Sequence, residues 1–101
     1  MGGDPHGVDD AFRDAMADYR RSIDNLDAQV VGLLQARAAV AVALNQMKRR
    51  AGLPVYDPAR EAALDAWARE QPAPILDPEA VVRILRVIVQ ETRAMLEARR
   101  W

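Results

Sequence analysis

Residues 12–50 read FRDAMADYRRSIDNLDAQVVGLLQARAAVAVALNQMKRR, with no proline and a single glycine, Gly32. Large apolar residues fall at Phe12, Met16, Tyr19, Ile23, Leu26, Val30 and Leu33, and again at Val40, Leu44 and Met47. The steps alternate between four and three residues with one gap. Such spacing, one apolar residue every ~3.5 on average, marks a helix that packs along a seam against another helix. The gap falls at position 37, where the register calls for an apolar residue and the chain has Arg37. A guanidinium on an apolar stripe is costly unless something anionic meets it. Either Arg37 snorkels or pairs with an internal carboxylate, or it faces an anion-binding pocket among helices.

The stretch predicts one helix from about residue 10 to residue 50. Asp9 or Asp10 can cap its start, and Lys48, Arg49 and Arg50 suit its negative C-terminal end. Gly52 serves as the stop, with Pro54 just beyond. Such a helix measures about 58 Å, whereas a compact chain of this size has a radius of gyration of about 13 Å. The remaining half of the chain cannot cover a rod of that length. A seam along the whole rod therefore implies a partner, most simply a second copy in a homodimer.

On either side of this helix the chain is plainer. Residues 1–9 contain Gly2, Gly3, Pro5 and Gly7 and read as a disordered tail. The linker from Ala51 to Tyr56 is partly apolar and is expected to lie against the helices. Asp57-Pro58 opens a second helix, an N-cap followed by the residue best suited to the first helical position. That helix ends before Pro72, and Leu64 and Trp67 are expected to face the core. After a linker over 71–76, Asp77-Pro78 repeats the same signal and opens a third helix running to about Arg99. Its apolar face is expected to hold Val81, Ile84, Leu85, Ile88, Val89, Met95 and Leu96, with Thr92 interrupting it. No strand signal appears. The reading is an all-α fold of one very long, one short and one medium helix, forming a single domain over residues 10–101.

Composition narrows the function. The 101 residues carry a net charge of −1, which argues against a general nucleic-acid binder. There is no cysteine and a single histidine, His6, in the tail, so neither a disulfide framework nor a metal site is expected. No apolar run approaches the ~20 residues needed to cross a membrane, and no leader pattern opens the chain. A soluble, cytoplasmic protein is expected. There is no Ser-His or Cys-His pair and no glycine-rich phosphate loop, which removes most nucleophilic and nucleotide chemistry. What remains suits a reaction that needs positioning and charge stabilisation, with no cofactor.

The candidate groups for that chemistry lie where helices meet linkers. Lys48 follows Arg37 by 11 residues, so the two side chains project within about 20° of each other and about 16 Å apart. Two such cations could grip the ends of one small dianion. Asp57, Arg60 and Glu61 open the second helix. Each also has a plain reading: Lys48 as a solvated helix end, Asp57 as a cap, Arg60 and Glu61 as an exposed first-turn pair. Thr92 in turn can simply bond back to its own helix.

The ordered set Arg20-x-x-Ile23-Asp24-x-x-Asp27, Leu33-Leu34-x-x-Arg37-x-x-Val40-Ala41, Lys48, Pro54-Val55-Tyr56-Asp57-Pro58-x-Arg60-Glu61 and Ile84-Leu85-x-x-Ile88-Val89-x-x-Thr92 resembles the all-helical, AroQ-class chorismate mutases. It spans residues 20 to about 96. The resemblance implies an intertwined homodimer that rearranges chorismate to prephenate in the shikimate route to aromatic amino acids. It implies that Arg37, and Arg20 from the other chain, hold the two carboxylates of chorismate, and that Lys48 meets the ether oxygen and a carboxylate. Glu61 would bind the ring hydroxyl, aided by the backbone near Asp57. Arg60 would help close the pocket, and Thr92 would stand near a carboxylate. Geometry supports the cross-chain role of Arg20: it lies 17 residues before Arg37, about 25 Å along one helix, too far to hold one small molecule from the same chain.

The chain departs from the family at Leu96, where a glutamine usually supplies a second donor to the ether oxygen. Arg93, at a position often apolar in the family, is another candidate for the pocket. Three outcomes follow: a weak mutase, a mutase completed by an activating partner protein, or a relative acting on 4-amino-4-deoxychorismate or isochorismate. A non-catalytic helical dimer that kept the pocket is a further alternative.

Overall fold

The computed structural model describes residues 9–99, and it contains three helices: α1 (Asp10–Arg50), α2 (Pro58–Glu70) and α3 (Pro78–Ala98). Apart from Asp9, the expected N-terminal tail, His6 included, lies outside the described residues.

Local chemistry accounts for the start of each helix and for the end of α1. At the start of α1, the Asp9 carboxylate accepts the Phe12 N–H at 2.8 Å. At its end, Gly52 takes a left-handed φ of 71°. The Leu53 N–H then reaches the Lys48 carbonyl at 2.8 Å and the Gly52 N–H reaches the Arg49 carbonyl at 3.1 Å. This paired closure satisfies carbonyls that the helix end would leave orphaned. Asp57 caps α2 by accepting the Arg60 N–H at 3.0 Å, and Asp77 caps α3 by accepting the Glu79 N–H at 2.8 Å. Pro58 and Pro78 fill the first helical positions. Gly32 does not interrupt α1.

The chain divides into two units between Ala36 and Arg37. Among the described residues of the first unit α1 is the only element, and its seam is open. Tyr19 is 75% exposed and Leu33 is 70% exposed, and Phe12, Ile23, Leu26 and Val30 are also exposed.

In the second unit α2 packs on α3. Three ion pairs join them: Glu61 with Arg93, Asp65 with Arg86, and Arg69 with Glu79. Residues ascending α2 pair with residues descending α3, so the two helices run in opposite senses. The core is small. Val82 is completely buried, and Ala68 and Leu96 are nearly so.

Several sequence expectations need correction. Trp67 is 54% exposed rather than in the core; α2 turns Ala68 inward in its place, with the expected Leu64 half-buried. On α3, Val82 joins the expected Leu96 in the core, and Ile84 is exposed. Apolar residues from Val81 to Val89 almost encircle that helix, so spacing alone does not choose its inner side. The linker does not lie wholly against the helices, since Leu53 and Tyr56 are exposed and only Val55 is half-buried.

α1 also contains one window that is long and apolar enough, by length and composition, to cross a membrane, contrary to the sequence expectation. Ala38, Ala39, Ala41 and Ala43 lift its mean hydropathy without forming a continuous bulky run. Core helices of water-soluble proteins pass the same test, and the segment from Arg37 to Leu44 forms a cavity wall with α2 and α3.

Candidate active site

The second unit holds a cavity of about 420 Å³, within the range of small-molecule sites. From α1 it takes Arg37, Val40, Ala41 and Leu44, whose spacing of three and four keeps them on one side of the helix. From α2 it takes Arg60, Glu61 and Leu64, and from α3 Val89, Thr92, Arg93 and Leu96. Val55 of the linker completes the wall. Val40 and Leu44, read from spacing as part of a helix–helix seam, are thus cavity-lining residues.

Arg37, Arg60, Glu61, Thr92 and Leu96, singled out from sequence, therefore meet in one place. The lining carries three guanidiniums and one carboxylate among mostly aliphatic side chains, so it favours an anionic guest. Arg37 Nη1 donates to Thr92 Oγ1 at 3.5 Å, and the Thr92 hydroxyl donates to the Ile88 carbonyl at 2.7 Å. The back-bond expected for Thr92 is present, and its oxygen still accepts from Arg37. Arg37 itself is exposed in the single chain rather than buried on a stripe, while still lining the cavity.

Among the described residues lining the cavity, Arg93 makes the shortest side-chain hydrogen bonds. Its Nη2 donates to both Glu61 carboxylate oxygens at 2.6 Å, and its guanidinium carbon lies 4.3 Å from the centre of the Tyr56 ring. Arg93 Nε is buried without a partner. Sequence reasoning marked Arg93 as a candidate but missed the pair with Glu61 and the role of Tyr56. The pairing spans 32 residues, and no local pattern encodes it. Leu96 is buried in the wall and offers no hydrogen-bond donor through its side chain.

The other sequence candidates lie elsewhere. Asp57 is occupied as the α2 cap. Lys48 is half-buried in the last turn of α1. It stands one turn beyond Leu44 and on the same side of the helix, but it is not part of the cavity wall. Arg20 is an exposed residue of the first unit.

One polar residue was missed altogether. Asn45 is 2% exposed, and neither its amide nitrogen nor its amide oxygen has a partner. It lies between the cavity-facing Ala41 and Lys48 on a helix read as an apolar seam, and spacing gave no sign that it would be enclosed.

Comparison with known proteins gives a consistent picture. The family model for chorismate mutase type II matches residues 19–97. The T-protein of Haemophilus influenzae is 31% identical over 85 residues, covering 83% of this chain and 22% of that protein. The T-protein of Enterobacter agglomerans is 31% identical over 74 residues, covering 72% of this chain and 20% of that protein. This chain thus spans about a fifth of the length of these curated relatives. A chorismate mutase of Methanocaldococcus jannaschii is 24% identical over 81 residues, covering 79% of this chain and 82% of that protein. A solved structure of a Thermus thermophilus chorismate mutase superposes with a TM-score of 0.78 at 23% identity, covering 86% of this chain and 99% of that one. A second form of the Thermus thermophilus mutase gives 0.72 at 24% identity, covering 77% and 98%. These two show a shared fold.

Proposed function

Since the chain belongs to the chorismate mutase type II family, we propose that it is a chorismate mutase, an isomerase that converts chorismate to prephenate in aromatic amino acid biosynthesis. The observation that carries this reading is the cavity itself: Arg37, Arg60, Arg93 and Glu61 converge in an otherwise aliphatic hole. That lining suits a small, folded dicarboxylate and a reaction without a protein nucleophile.

The reaction is an intramolecular [3,3] rearrangement. The C–O bond breaks ahead of C–C bond formation, so negative charge builds on the ether oxygen. A cavity accelerates it by holding the folded, diaxial conformer and by placing cations beside that oxygen. Arg37 holds one carboxylate, with Thr92 orienting its guanidinium. Lys48 reaches the ether oxygen from the last turn of α1. Glu61 faces the ring hydroxyl, with the capped backbone at Asp57 behind it, and Arg60 closes the mouth.

The second carboxylate is met by Arg20 of a second copy. The uncovered seam of the first unit supports a homodimer, because burying that stripe is what would hold such a helix in water. The dimer works in the cytoplasm on a soluble substrate. Leu96 removes one donor from the ether oxygen, and an activating partner protein is one way to restore the lost rate.

The test offers chorismate, isochorismate and 4-amino-4-deoxychorismate separately to the purified protein and identifies the products by NMR. Prephenate from chorismate is expected. No conversion at millimolar chorismate by a folded dimer would refute the proposal and favour a binding module.

A further inference from the structure

We infer that the Arg93–Glu61 pair is the specificity element of the site: it selects a substrate with a neutral hydroxyl at the ring position facing Glu61 and rejects one with an ammonium there. The inference rests on the proposed mutase reading, in which Glu61 meets that substituent.

Its physical basis lies in three contacts. Both Glu61 oxygens accept from a single Arg93 nitrogen at 2.6 Å. The Arg93 guanidinium is held against the Tyr56 ring at 4.3 Å. Both partners line the cavity, and each side chain is under one-third exposed. The carboxylate therefore does not face the cavity as a bare anion. It presents itself with a fixed cation alongside.

Such a pair offers a hydroxyl both of its needs. The hydroxyl proton goes to Glu61, and a hydroxyl lone pair accepts from Arg93. An ammonium has three donors and no acceptor. It satisfies Glu61 but brings its own charge against the Arg93 guanidinium in a partly desolvated site, where like charges repel more strongly than in water. A lone glutamate would favour the ammonium; this pair reverses the preference. Leu96, being apolar, supplies nothing that relieves the repulsion.

Arg93 acts here both on the ring substituent directly and by holding Glu61, as a specificity-determining residue. The test compares kcat/KM for chorismate with kcat/KM for 4-amino-4-deoxychorismate in the wild type, Arg93→Met, Arg93→Lys and Tyr56→Leu. The wild type is expected to prefer chorismate by at least about tenfold. In Arg93→Met the ratio should fall by about tenfold or more, through a gain on the amino substrate, while Arg93→Lys keeps most of the preference. A purely structural role would lower both rates together and leave the ratio where it was. An unmoved ratio in folded Arg93→Met overturns the inference, as does a wild type that prefers the amino substrate. If Arg93→Met does not fold, Tyr56→Leu decides, since it frees the guanidinium without removing it: a fall in the ratio supports the inference and an unmoved ratio overturns it. Wild-type turnover of chorismate with an unmoved ratio sinks the specificity inference alone. Turnover of neither substrate sinks the mutase reading and this inference with it.

Discussion

Arg37 was visible from spacing alone, as the one break in an apolar register, and it lies on the cavity wall beside Thr92. Its contact with Thr92 is long, at 3.5 Å, and its side chain is exposed, so little folding energy depends on it. Arg37→Ala should therefore reduce turnover by about 10²–10³ while thermal unfolding shows a stability change within about 0.5 kcal/mol. A destabilised protein with normal turnover per folded chain would assign Arg37 a structural role. Leu96→Gln tests the missing donor from the other side. Turnover should rise by about tenfold or more, and a rate that does not rise means another group already serves the ether oxygen. Asn45 carries a prediction about stability. Its amide is enclosed without partners, so Asn45→Leu, which keeps the same branched skeleton of side-chain heavy atoms, should raise the unfolding free energy by about 1–3 kcal/mol. A lower value by chemical denaturation would mean that the amide is paired in solution. At this scale the sequence showed which residues carry charge at unexpected places. It did not show that Arg93 and Glu61 meet, because their pairing depends on how two helices cross.

At the scale of helices, boundaries were legible because their causes are local. Asp57-Pro58, Asp77-Pro78 and Gly52 act within a few residues of themselves, and each does what its chemistry dictates. Orientation was legible only where polarity is lopsided. α3 is apolar on most sides, so Val82 rather than Ile84 entered the core, and Trp67 on α2 was misplaced for a similar reason. The ion pairs between α2 and α3 yield a further expectation. The hydrogen bond from Arg69 holds the Glu79 carboxyl below the usual glutamate range, with the Arg69 charge acting in the same direction. A carboxyl lowered on folding stabilises the fold above its unfolded pKa, and that contribution fades as the pH falls through the lowered value. Both side chains are about half exposed, so solvent screens the pair and the effect on stability is small. An NMR titration should find the Glu79 midpoint below the ordinary glutamate value and find it restored in Arg69→Gln. A midpoint already at the ordinary value in the wild type would show that the pair is not populated in solution.

For the molecule as a whole, the helical seam and the cavity raise the same requirement. The described chain buries few large side chains and leaves Phe12, Tyr19, Ile23, Leu26, Val30 and Leu33 uncovered, while the proposed site assigns its second carboxylate to Arg20, an exposed residue of the first unit. A second copy would meet both needs, through burial of the seam and through its Arg20. The length of the helix is the sequence basis for proposing that copy, since a rod of that length has no counterpart in the rest of the chain. Activity and assembly should then be inseparable. The most direct test is the rate of prephenate formation per chain across a dilution series that takes the protein through its dimer–monomer transition, with sedimentation followed on the same samples. The rate per chain is expected to fall in proportion to the dimer fraction. A rate per chain that persists in the monomer, or a sedimenting dimer that forms no prephenate, would contradict a site shared between two copies.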